Sequence, residues 1–189
     1  MYIKIKKKGF FVMLEDKRIR RTKKLLRQAL CELMKQKPFK NITVSDIVRQ
    51  ADINRGTFYA YYQDVYDLRE KVENEMTNSL KQIIQSTLPE IQGNSMKTSI
   101  KKSVEYLEEN HELAYVLLKD GNLEHKMTVL LAECCKKQLS NHTENDEWEV
   151  CFVATGCLGI MKHWMMQTED IDKEKVINKI DSILRRFFV

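Results

Sequence analysis

The stretch TVSDIVRQADINRGTFYAYY, residues 43–62, decides how the rest of the chain is read. Ile47, Val48 and Ala51 recur at helical spacing and give a first short helix an inward face. Thr43 or Ser45 can cap its N-terminus by accepting a backbone N–H, and Asp46 suits the positive end of the helix dipole. Asp52 follows, a short polar residue that tolerates the left-handed conformation ending a helix. Ile53 plugs the turn into the core, and Asn54 is a strong N-cap for a second helix beginning Arg55-Gly56-Thr57-Phe58-Tyr59. Phe58 points inward, leaving Arg55, Thr57, Tyr59 and Tyr61 on outward faces. Two short helices around a tight turn, the second polar and aromatic, predict a helix-turn-helix whose second helix enters the DNA major groove.

The chemistry of that second helix divides the work. Arg55 carries a rigid fork that fits guanine O6 and N7, so it is the candidate base reader. Gly56 removes a side chain where backbone must approach DNA closely. Thr57, Tyr59 and Tyr61 offer hydroxyls to phosphates or a ring edge to a thymine methyl; Tyr62 takes the half-buried core role open to any of these tyrosines. Thr43 and Asn54, besides capping, complete the DNA-facing set. Upstream, residues 16–37 form a helix with an apolar stripe through Ile19, Leu26, Leu30 and Leu33. Its first turns carry Lys17, Arg18, Arg20, Arg21, Lys23 and Lys24, a run that reads as a solvated face or, with Arg18 foremost, as a set of phosphate contacts. Pro38 ends that helix, and Phe39 and Ile42 staple the loop back onto the core.

Composition points the same way. Six glycines and two prolines in 189 residues are too few for many strands and hairpins, which predicts an all-α chain. Residues 1–60 carry 16 basic against 5 acidic side chains, net +11, and residues 61–189 carry 16 against 22, net −6. A basic front on an acidic remainder predicts a polyanion-binding head on a separate body, although charge alone suits an anionic membrane surface equally. The five cysteines are odd in number and lack C-x-x-C spacing. They imply neither a disulfide framework nor a metal cluster, and they fit a reduced cytoplasm. The start, MYIKIKKKGFFVML, is too short for a membrane span and lacks a cleavage site. Residues 1–15 read as an arm: a frayed tail, with Met13 a plausible start, or a basic segment whose Lys4, Lys6, Lys7 and Lys8 reach phosphates.

The order N-R-G-T-F-Y-x-Y-Y, after an apolar-turn-Ile segment and before an amphipathic helix, resembles the tetracycline-repressor (TetR) family of transcription factors, over roughly Arg18 to Val72. The resemblance implies a three-helix DNA-binding domain over residues 16–63 and a helical ligand-binding and dimerisation domain over residues 64–189. It also implies an amphipathic helix from about Val65 to Leu88 that joins head to body. The chain departs from the family's pattern twice. The family usually has a phosphate-contacting lysine where this chain has Val65, and often glycine where Asp52 stands.

In the body, apolar spacing predicts helices over residues 96–109, 111–119, 123–139, 148–166 and 173–188. The run VCFVATGCLGIMKHWMM, residues 150–166, is apolar on nearly every face, and Lys162 and His163 break it too early for a membrane span. Such a helix in so thin a domain calls for a second copy. Phe152, Gly156, Gly159 and Ile160, with Ile180 and Leu184 of the last helix, are the expected homodimer interface, in the antiparallel four-helix arrangement the family uses. Tyr106, Tyr115, Met127, Cys157, Met161 and Trp164 are soft side chains that can line a cavity for a small apolar effector, or serve as plain core. The scattered histidines suggest no metal site, and no cofactor is implied. No nucleophile–base pairing or phosphate-cradling glycine loop argues for an enzyme. The resulting expectation is a cytoplasmic, ligand-responsive repressor binding a palindromic operator on double-stranded DNA as a homodimer. The alternative is a co-regulator or activator whose body binds a protein partner.

Overall fold

The computed structural model describes residues 17–87, 96–139, 147–167 and 172–186. Among them all regular structure is helical. The elements are α1 (Lys17–Gln36), a 3-10 turn (Phe39–Asn41), α2 (Val44–Gln50), α3 (Arg55–Tyr59), α4 (Val65–Thr87), α5 (Lys97–Glu109), α6 (His111–Lys119), α7 (Asn122–Leu139), α8 (Glu147–Met166) and α9 (Lys173–Leu184). The basic arm with Lys4, Lys6, Lys7 and Lys8 lies outside the described residues, as do residues 187 and 188 of the last expected helix.

The chain separates into two compact units, the first ending at Val72 and the second starting at Glu73. That boundary falls inside α4 rather than at residue 64, before the helix begins. The reason is packing. The first two turns of α4 belong to the head: Val65, Leu68 and Val72 are buried, and Tyr66 sets its ring edge-on to Phe39 at 5.1 Å. The guanidinium of Arg69 stacks over Phe39 at 4.6 Å.

The head is built by short-range signals. Leu26 and Leu30 of α1, Ile47 of α2 and Phe58 of α3 are all fully buried, and α1 packs on α2 and α2 on α3. Phe58 lies tilted against Tyr62 at 5.8 Å, so the first ring fills the core and the second closes it. Between α2 and α3, Asp52 is the single non-glycine residue with positive φ among the described residues, at 52°. Ile53 N–H reaches back to the Val48 carbonyl at 3.0 Å, which satisfies an end-of-helix carbonyl that would otherwise be orphaned.

The body holds the remainder of α4 with α5–α9; α7 packs on α8, and α9 on α5 and α8. Two buried carboxylates tie it together. Glu73 on α4 is fully buried and meets Lys126 of α7 at 3.0 Å and the Asn122 side-chain amide. Asp181 on α9 accepts the Met96 N–H at 2.9 Å, supplying α5 with the N-terminal cap its own residues lack. It also takes Arg185 Nε at 2.9 Å. Buried carboxylates persist only with such partners.

Candidate nucleic-acid interface

Asp46 organises the start of α2. Thr43 Oγ1 accepts the Asp46 N–H at 3.2 Å while Asp46 accepts the Thr43 N–H at 3.0 Å, a reciprocal capping box. The same carboxylate receives the Thr43 hydroxyl at 2.8 Å, Lys37 Nζ at 2.7 Å and Arg49 Nη2 at 3.0 Å. The Lys37 bond, then the bonds from Thr43, hold the Asp46 carboxyl well below the usual carboxylate range. Thr43, not Ser45, is therefore the cap. Ser45 has another use: its Oγ accepts Arg55 Nη2 at 2.9 Å, which orients the exposed Arg55 fork.

On α3, Asn54 Oδ1 accepts the Thr57 N–H at 2.7 Å and the Thr57 hydroxyl at 2.9 Å. Thr57, expected to offer its hydroxyl outward, is half-buried and donates that hydrogen to the cap instead. Tyr59 remains 54% exposed, braced edge-on by Phe58. Tyr61 is half-buried, and its carbonyl accepts Lys71 Nζ at 3.1 Å. Gly56 is exposed, and a Cβ there would meet only Asn54 Oδ1 at 3.4 Å, an ordinary contact. The protein's own packing does not ask for glycine, which costs a helix roughly 0.5–1 kcal/mol. On α1, Lys17, Arg18, Arg20 and Arg21 are exposed.

At the start of α4, Asp64 accepts the Asp67 N–H and Asp67 the Gln63 N–H, each at 2.8 Å. Lys71, reinforced by Gln63, lowers the Asp67 pKa. Val65 is buried, so the position that carries a cationic contact in the resembling family is spent on the core here. Sequence reasoning missed the Ser45–Arg55 and Lys71–Tyr61 bonds. Both bonds span ten residues across a turn, outside any helical period.

The body contains a cavity of about 80 Å³ between α4, α5, α7, α8 and α9. Of the side chains named from the sequence, Cys157 and Met161 line it; Tyr106, Tyr115, Met127 and Trp164 do not. Met127 is buried elsewhere in the core, and Tyr115 stacks on His111 at 6.2 Å. In their place stand Cys134, Cys135, Met96, Ser99 and Ser103. Burial pushes the Cys135 thiol up to about 12 and the Cys157 thiol to about 11, with Cys157 and Cys134 adding to the effect on Cys135. The dimer expectation changes too. Ile180 and Leu184 are buried and line the same cavity, because α9 spends its apolar stripe on α5 and α8. On α8, by contrast, Trp148 is 82% and Phe152 65% exposed, Gly156, Gly159 and His163 continue the same stripe, and Ile160 is half-buried.

Residues 26–72 match the family described as bacterial regulatory proteins of the tetR family, and residues 94–186 match that described as a transcriptional regulator C-terminal region. The chain belongs to the TetR family of transcriptional regulators. TetR-family proteins are regulators rather than enzymes. A curated relative, the uncharacterized HTH-type transcriptional regulator YxbF of Bacillus subtilis (strain 168), is 23% identical over 100 residues. That match covers 51% of this chain and 26% of the relative, so the chain spans about a quarter of its length. Solved structures share the TetR fold. A putative TetR-family regulator from Syntrophomonas wolfei str. Goettingen superposes with TM-score 0.67 at 16% identity, covering 89% of this chain and 95% of that one. The fatty acid degradation regulator FadR from Bacillus halodurans gives 0.66 at 17%, covering 90% and 96%. The dihydroxyacetone kinase operon activator DhaS gives 0.59 at 21%, covering 88% and 96%. Among the described residues no helix is long and apolar enough to cross a membrane.

Proposed function

We propose that this chain is a DNA-binding transcriptional repressor that reads a near-palindromic operator as a homodimer and answers to an effector bound in its body. One observation carries the DNA reading. Arg55, Gly56 and Tyr59 lie together on the exposed side of a doubly capped turn whose own packing does not require the glycine. Arg55 reads a guanine edge, Tyr59 gives its hydroxyl to a phosphate or its ring edge to a thymine methyl, and Gly56 lets the backbone approach. Thr43, Asn54, Thr57 and Tyr61 support that surface through caps and half-buried contacts. The α1 cations, Arg18 among them, supply phosphate grip that Val65 does not.

The homodimer reading rests on the α8 stripe. Trp148 and Phe152 expose large apolar area, and nothing in the protomer approaches a Cβ built at Gly156 or Gly159. Small residues let a second α8 pack closely, and a two-fold pair sets recognition elements about one DNA turn, ~34–36 Å, apart. An effector acts by differential affinity: it binds best to the dimer form that fits DNA worst. Such a partner places the protein in the cytoplasm. Selection of genomic fragments with the purified protein tests this reading. Paired half-sites one turn apart are expected, and enrichment of no fragment, or of unpaired sites, sinks it.

A further inference from the structure

Three of the chain's five cysteines, Cys134, Cys135 and Cys157, line the cavity in the body, together with two methionines, Met96 and Met161. Five of its thirteen lining side chains therefore carry sulfur, and none carries charge; the polar ones are Ser99 and Ser103. Ser103 donates its hydroxyl to the Ser99 carbonyl at 2.8 Å, so it is already engaged. Cys157 and Met161 are four residues apart on α8, which puts their side chains on one face a single turn apart. Cys135 comes from α7, which packs on α8.

This sulfur content is specific in what it can bind. Hard cations such as Mg²⁺ and Ca²⁺ demand oxygen ligands, and the cavity has no carboxylate to give them. Thiolate and thioether donors select soft ions, Cu(I) foremost. Charge narrows the choice further. An uncharged, apolar cavity penalises net charge, and a monovalent cation on one thiolate with a thioether sums to zero.

We propose that the cavity binds Cu(I) through the Cys157 thiolate and the Met161 thioether, with Cys135 facing it from α7, and that Cu(I) is the effector. This assignment rests on the reading of the body as an effector domain. The bond balance is simple: the Cys157 S–H loses its proton to solvent as the S–Cu bond forms, with no change of oxidation state. Cys157 and Met161, one turn apart on α8 and both lining the cavity, are the starting donor set.

The test is anaerobic titration of the full-length protein with Cu(I), using bicinchoninate as competing indicator. One ion per protomer is expected, with affinity falling by about 100-fold or more in C157A/M161L, since both direct donors are gone. C157A and M161L singly, each checked by far-UV circular dichroism, cover the case in which the double variant does not fold. Replacing the exposed Cys151 by serine leaves binding unchanged. Equal Cu(I) affinity in the native protein and in C157A or M161L overturns the site. On a selected operator fragment, Cu(I) lowers native affinity by at least about 10-fold and leaves C157A/M161L unmoved. If Cu(I) binds but the fragment affinity does not respond, the effector assignment is overturned. Metal-free protein is run beside both. If it retains no fragment, the operator reading has failed, while the Cu(I) titration is judged on its own result.

Discussion

The head and the body of this molecule are held by different kinds of contact. In the head the deciding polar bonds are local: Thr43 with Asp46, Asn54 with Thr57, Lys37 with Asp46 and Ser45 with Arg55 all close within ten residues of sequence. In the body they are distant. Glu73 is matched 49 residues away by Asn122, Glu108 by Lys173 across 65, and Asp181 by Met96 across 85. A surface set by local bonds is rigid as soon as its helices form. A body set by distant ones depends on how its helices pack, and it keeps a cavity and an open apolar stripe.

That contrast can be broken or sharpened by mutation. The largest effect is expected in the head core: Phe58→Ala removes a fully buried ring and should cost about 3–5 kcal/mol. Chemical denaturation followed by circular dichroism reads it, and a loss under 1 kcal/mol would mean the head does not hang on this ring. Next comes the body's stripe. Gly156→Lys puts an unpaired charge at the proposed protomer interface, with an expected loss of about 3 kcal/mol of association. Analytical ultracentrifugation should show monomers; dimers surviving at micromolar concentration would remove α8 from the interface.

Arg55→Ala should then cost about 1–3 kcal/mol on the selected operator and relax base preference at one position of each half-site. Unchanged discrimination there makes Arg55 a phosphate contact or a bystander. Thr43→Ala removes one arm of the capping box and should cost about 0.5–2 kcal/mol of head stability. The pH dependence has a definite sign. The Asp46 pKa is lowered in the fold, so its contribution is full above the unfolded carboxylate value, about 4, and drains away as pH falls below it. Asp46→Asn should flatten the acid limb of the stability curve, and a wild-type slope there would point to other carboxylates. The smallest effect belongs to Tyr59→Phe, the loss of one hydroxyl hydrogen bond, about 0.5–1.5 kcal/mol of operator affinity. Equal affinity at several salt concentrations would leave Tyr59 with its ring alone.

Much of the head was legible in the order of its residues. Asn54 as cap, Asp52 in the left-handed turn, Phe58 inward and Tyr59 outward each follow from a rule about one residue and its near neighbours. Where that reasoning slipped, a side chain had two jobs. Thr57 could reach outward or close the Asn54 cap, and the cap was nearer. The body's site was harder to see. The adjacent Cys134 and Cys135 were visible as a pair, but only the packing of α7 on α8 sets them around Cys157 and Met161. Tyr106 and Trp164 share the helical spacing of lining residues and yet face elsewhere.

By itself, then, the sequence determined an all-helical chain, a capped helix-turn-helix with Arg55 and Tyr59 outward, and a basic head on an acidic body. These rest on propensity, capping and charge, which act within a few residues. The tertiary structure alone decided three things: that α4 is shared between the two units, that Ile180 and Leu184 are buried within the protomer and line a cavity, and that sulfur lines that cavity. The physical reason is that periodicity marks which residues of a helix are buried. Which neighbour buries them is set by packing between helices far apart in the chain.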